Sequence, residues 1–137
     1  MILLDTNVVS ELMRPQPDQR VVAWLRKNAR MLSIPTIAIG ELRYGVARLQ
    51  PGRRKDSLNA ALDELVNRFA GAIIDYDVVA ARACGDILAV AEAAGRPMSL
   101  ADAQIAACAH VARADLATRN VADFATTSLR LINPWAT

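Results

Sequence analysis

Histidine occurs once in the 137 residues, cysteine twice, and aromatic residues make up only 4%. These shortages remove several chemistries at the outset. The single histidine, His110, sits in an alanine-rich helical stretch and reads as structural, so no Ser-His-Asp or Cys-His pair is available for nucleophilic catalysis. Cys84 and Cys108 fall in apolar helical patterns with no CxxC spacing and no Cys/His cluster. They read as reduced core cysteines of a cytoplasmic protein, not as zinc ligands or a disulfide. Few aromatics argue against base-stacking platforms, and no glycine-rich phosphate loop is present. No signal peptide precedes the first apolar stretch and no apolar run approaches membrane-spanning length, so the expectation is a soluble, intracellular protein without membrane attachment. Lysine is also scarce, with Lys27 and Lys55 against fourteen arginines. Arginine suits bidentate phosphate contact, but a GC-rich genome produces the same bias, so the preference carries little weight.

What is present is an ordinary globular balance: 53% apolar residues, 22% charged and a net charge of +2. A chain of this length buries a core without disulfide or metal staples and is expected to form one domain over residues 1–137. The mild positive charge weakly favours a polyanionic partner.

The chain begins with an apolar run, Met1-Ile2-Leu3-Leu4, that stops abruptly at Asp5-Thr6-Asn7. Such a run suits a strand buried on both faces in a parallel sheet. A helix is expected over Thr6–Met13, ended by Pro15 and Pro17, and a second from an Asp18 cap to about Asn28. Met31–Ile34 reads as the second strand. Thr36 is expected to cap a helix reaching about Leu49, which Pro51-Gly52 breaks. Arg53–Phe69 is amphipathic, Ala72–Ile74 reads as a third strand, and Asp77 caps a helix from Val78 to about Ala94. A helix from Ser99 to about Ala112, a strand at Asp115–Thr118, a short turn of helix at Asp123-Phe124 and a strand at Leu129–Ile132 complete the order. Strands alternating with helices imply an α/β sandwich around a parallel sheet, whose strand ends share a crevice.

Four acids stand where that crevice would form, each with a structural alternative. Asp5 ends the first strand; it would also serve as a helix cap, although Val8 removes the capping box. Glu41 lies inside the Thr36 helix in an otherwise apolar segment, with Gly45 in place of a cation at i+4; the alternative is a solvated surface glutamate. Asp102 completes the capping box Ser99-Leu100-Ala101-Asp102 and also projects from a helix start. Asp123 follows the fourth strand, and capping the turn at Phe124 is its alternative. Asp75 and Asp77 read as turn and cap residues at the sheet's edge. Two like charges about 4 Å apart repel by about 4 kcal/mol at an effective dielectric near 20, so four convergent carboxylates demand a proton or a cation. An all-oxygen set without His or Cys selects a hard ion, Mg²⁺ or Mn²⁺, which suits hydrolysis of a phosphodiester.

Leu4-Asp5-Thr6-Asn7-Val8 with Ser10-Glu11, then Glu41-Leu42-Arg43-Tyr44-Gly45, Asp102-Ala103-Gln104-Ile105-Ala106-Ala107, Thr118-Arg119-Asn120 with Asp123-Phe124, and finally Ile132-Asn133-Pro134-Trp135 occur in an order that resembles the PIN-domain family, specifically VapC-type ribonuclease toxins of the FitB-like branch. The resemblance spans essentially the whole chain. It implies a three-layer α/β/α fold whose five short parallel strands, numbered along the chain, lie in the order 3-2-1-4-5. It also implies Asp5, Glu41, Asp102 and Asp123 as catalytic, metal-binding acids for Mg²⁺ or Mn²⁺, with Thr118, Asn7 and Asn120 in support. The implied activity is endonucleolytic RNA cleavage by the toxin of a type II toxin–antitoxin pair. Its implied partners are RNA, a cognate antitoxin whose carboxy-terminal segment reaches the site, a second copy in a homodimer, and operator DNA through the antitoxin only. Arg43, Arg48, Arg53, Arg54 and Lys55 form the densest basic run, read either as a solvated face or as a phosphate-steering rim.

Two other readings are open to test. A haloacid-dehalogenase-like phosphatase also starts with an aspartate after its first strand, but that chemistry wants a second aspartate two residues on, where Asn7 stands. A weakly or non-catalytic module that regulates operator DNA together with its antitoxin would not need four acids, which repel nucleic acid unless a cation intervenes.

Overall fold

The structure, a computed structural model, describes residues 1–137. Five parallel strands, β1 (Ile2–Leu4), β2 (Leu32–Pro35), β3 (Ile73–Ile74), β4 (Asp115–Ala117) and β5 (Leu131–Ile132), form one sheet in the order β3-β2-β1-β4-β5. The apolar opening run therefore becomes the central strand, pairing Ile2 with Leu32 on one side and with Asp115 on the other. Its residues alternate between faces. Ile2 and Leu4 enter a core with Val8, Val9, Val21, Ile34 and Trp135. Leu3 points the other way, toward Ala103, Ile105, Ala106, Leu116 and Phe124. Leu3 and Leu4 have no exposed surface, and each such side chain contributes about 1.5–3 kcal/mol by leaving water.

Six helices cover the two faces: α1 (Thr6–Leu12), α2 (Gln19–Lys27), α3 (Thr36–Ala47), α4 (Arg53–Arg68), α5 (Val78–Ala93) and α6 (Leu100–Ala112). Small residues let α6 lie close to its neighbours: Ala103, Ala106, Ala107 and Ala109 are all fully buried. Cys84 and Cys108 are buried, free thiols on α5 and α6, and burial pushes the Cys108 thiol up to about 11. No helix is long and apolar enough to cross a membrane.

Element ends differ from the sequence reading in instructive ways. Met31 belongs to a 3-10 turn, Ala29–Met31, and β2 starts at Leu32. Leu129 and Arg130 lie outside β5. Thr36 does not cap α3, which starts without any side-chain cap. Its hydroxyl instead accepts the Tyr76 backbone N–H at 3.2 Å, joining the ends of β2 and β3. Pro35 lies before Thr36 with its backbone fixed in the extended region, so the helix entry is set without a capping side chain.

Candidate active site

Asp5 leaves the carboxyl end of β1 and has only 4% of its surface exposed. Its backbone continues the ladder, N–H to the Ala117 carbonyl at 2.9 Å, so the carboxylate is fixed where the sheet ends. Asp5 occupies the cap position of α1, and the catalytic and capping readings share one side chain. Oδ1 accepts the Thr6 N–H at 2.8 Å. Oδ2 accepts the Thr118 hydroxyl at 2.7 Å and the Asn7 amide at 3.1 Å. Burial raises the Asp5 carboxyl above the ordinary aspartate range, and the Glu41 charge adds to that. The bonds from Thr118, Thr6 and Asn7 oppose it.

The supports are themselves supported. Thr118 is fully buried, and its oxygen accepts the Asn120 N–H at 3.0 Å while donating to Asp5. Asn7 Oδ1 accepts the Arg119 N–H at 3.2 Å, so one side chain ties the start of α1 to the chain leaving β4. Asn120 enters this network through its backbone.

The other three acids approach from separate elements. Glu41 projects from α3 and accepts the Thr6 hydroxyl at 2.6 Å. Asp102 stands at the start of α6, where Ser99 is the cap: its Oγ accepts the Asp102 N–H at 3.2 Å, one half of the expected capping box. Burial, then the charge of Asp5, raises the Asp102 carboxyl; Asp123 and Glu41 raise it further, against the Ser99 hydrogen bond. Asp123 lies exposed in the 3-10 turn Val121–Phe124. Asp102 therefore feels the negative charge of all three other acids. None of the four makes an ion pair: the chain's salt bridges are Glu11–Arg14, Asp18–Arg20, Glu64–Arg68 and Asp115–Arg130.

Such a set fits a hard divalent cation. It offers carboxylate oxygens alone, with negative charge that no arginine or lysine neutralises. No three of the carboxylates have closed to the separation of ligands on one ion.

Beside Glu41 runs a groove of about 850 Å³ between α1, α3 and α4, with Met13, Leu42, Val46 and Leu58 supplying apolar walls. Arg14, Arg48, Arg53 and Arg54 line it. The remaining members of the basic run are engaged elsewhere. Arg43 donates to the Asn59 side chain, and Lys55 donates to the Ala47 carbonyl at 3.0 Å, closing the end of α3. Three features escaped the sequence reading. Thr6 reaches Glu41 across thirty-five positions. Glu11 is buried and accepts the Asp18 N–H at 2.8 Å. Arg119 lies over the Trp135 ring, 4.9 Å from its centroid. The only signal for Glu11 and Trp135 was their place in the recurring motifs; the Thr6 bond had none.

Comparison with known proteins agrees with this architecture. The PIN domain family matches residues 2–127. Toxin FitB of Neisseria gonorrhoeae is 40% identical over 98% of this chain and 99% of its own length. VapC ribonuclease Y4jK of Sinorhizobium fredii is 37% identical over 98% of both chains. The solved structure of FitAB bound to an IR36 DNA fragment superimposes with a TM-score of 0.90 at 38% identity, covering 98% of this chain and 96% of that one. With the same central strand, the same sheet order and a match over nearly its full length, the chain belongs to the PIN-domain family, in its VapC- and FitB-like branch.

Proposed function

We propose that this protein is a Mg²⁺- or Mn²⁺-dependent endoribonuclease, the toxin of a type II toxin–antitoxin pair. The observation that supports the reading is that Asp5, Asp123 and Glu41 all lie near enough to Asp102 to raise its carboxyl, and that none of the four has a cationic partner. The four carboxylates would hold the ion, Asp5 as the buried anchor. A bound hard cation supplies a more acidic water and neutralises charge on the phosphoryl oxygens.

The chain's own groups do the rest. Thr118 and Asn7 donate to Asp5 and favour its ionised, ligating form. Thr6 fixes one Glu41 oxygen and leaves the other free. Arg48, Arg53 and Arg54 line the groove beside Glu41 and would attract an RNA backbone that the acids alone repel. The antitoxin, a homodimeric state, operator DNA reached through the antitoxin, a single domain over residues 1–137 and a cytoplasmic location belong to the same reading. Support comes from FitB's name as a toxin, Y4jK's as a ribonuclease, and the FitAB structure on DNA.

Purified protein is expected to cut single-stranded RNA with Mg²⁺ or Mn²⁺ and to stop when the cation is chelated. Asp5→Asn and Glu41→Gln should each lose about 100-fold or more, since even partners one bond removed from a metal cost about 10–100-fold. Circular dichroism should show both variants folded. Full cation-dependent activity in either would remove that residue from the site. The DNA-bound relative also favours a second reading, a weakly or non-catalytic module that regulates operator DNA with its antitoxin. That reading predicts little or no RNA cleavage by the wild-type chain under any divalent cation.

A further inference from the structure

We propose that Arg119 is a backbone contact for the substrate RNA, a guanidinium mounted on the face of Trp135 beside Asp5. The inference rests on the endoribonuclease reading and adds a residue outside the basic run of α3 and α4. Arg119 directly follows Thr118, and its N–H donates to Asn7, whose amide holds Asp5. Its main chain is thus pinned to the network that fixes the buried carboxylate. The side chain is exposed and makes no hydrogen bond or ion pair within the protein. Its only partner is the ring of Trp135, which is 7% exposed and packed into the core.

That arrangement leaves the guanidinium oriented but unspent. The contact with the ring uses none of the five N–H donors, which stay free for phosphate oxygens. Sheet order supplies the geometry of the path. β1, carrying Asp5, lies between β2, which leads into α3 and the groove arginines, and β4, which leads into Arg119. A strand drawn over the carboxylates would then meet positive charge on both sides of them.

The test is equilibrium binding of a fluorescein-labelled, single-stranded RNA of mixed sequence to the full chain. Asp5→Asn serves as the background, so that the probe stays intact. Each phosphate contact to single-stranded RNA adds about 0.7 to the slope of log affinity against log salt. Arg119→Gln should lower that slope by about 0.7 and weaken binding on the order of fivefold at 0.1 M salt. Arg119→Lys should keep the slope, because the charge remains. Arg119→Met keeps an apolar stem over the ring and should lose the slope like glutamine, which covers the case in which Arg119→Gln fails to fold. A role confined to packing would lower the melting temperature and leave the slope unchanged, and that result overturns the proposal while RNA binding stands. If the background protein binds no RNA at any salt concentration, this inference falls together with the endoribonuclease reading.

Discussion

At the scale of single residues, the site depends on hydrogen bonds that hold a charge where burial opposes it. Thr118→Val keeps the shape of a fully buried side chain but removes the donor to Asp5 and the acceptor for Asn120 N–H. A hydrogen bond to a charged group contributes about 1.5–3 kcal/mol, so urea denaturation should report a loss of roughly 2 kcal/mol. The sign with pH follows from the donor's role. Thr118 lowers the Asp5 pKa, so its removal raises that pKa further above the ordinary range. The loss should therefore be larger at neutral pH, where Asp5 must ionise, than near pH 4. An equal loss at both would mean that Thr118 serves the Asn120 N–H and not the Asp5 charge, and no loss at either that it only fills space. The four candidate acids stand out in the sequence for different reasons: Asp5 and Asp123 follow strands, Asp102 opens a helix, and Glu41 is an acid inside an otherwise apolar helical stretch. Their supports were legible only in part. Asn7 lies two residues from Asp5, whereas Thr6 meets Glu41 through a tertiary approach that no local pattern encodes.

At the scale of elements, period and punctuation located every strand and helix, while ends shifted by a few residues. Thr36 shows why: a threonine before a helix reads as a cap, but a neighbouring strand end competes for the same hydroxyl, and Tyr76 takes it. Competition of the same kind removes Arg43 and Lys55 from the groove, through Asn59 and the end of α3. Glu11 shows the opposite case, an acid that would pass for surface in an amphipathic helix. It has 5% exposure and satisfies the Asp18 N–H at the entry of α2, with Arg14 at 3.4 Å. Glu11→Ala would leave that N–H unpaired and loosen the connection between α1 and α2, at about 1–3 kcal/mol. Hydrogen exchange should quicken across Met13–Arg20 before it quickens in β1. Uniform acceleration across the sheet would show that Glu11 acts on global stability alone.

At the scale of the whole molecule, the proposed function implies that the acid cluster would make stability depend on pH and cations together. Asp5 and Asp102 have folded pKa values above their ordinary ones. The folded state then holds protons that the unfolded chain releases, so this contribution falls as pH rises from the ordinary carboxylate range through the raised values. Without divalent cations, Asp102→Asn should gain melting temperature relative to the wild type as pH rises from about 4 to about 8. Added Mg²⁺ should raise the wild type more than the variant, because a ligand of the folded state stabilises in proportion to its affinity. A difference that stays flat with pH would sink the cluster's role in stability.

The bond from Thr118 to Asp5 spans 113 positions of sequence. During synthesis one partner must therefore wait for almost the entire chain to be translated before the other exists. β1 cannot be flanked on its second side until β4 has left the ribosome, and the anchoring carboxylate has no fixed orientation until then. On the proposed function, a nascent or prematurely terminated fragment is expected to be inactive, and the RNAs around the ribosome would be spared while the chain is being made.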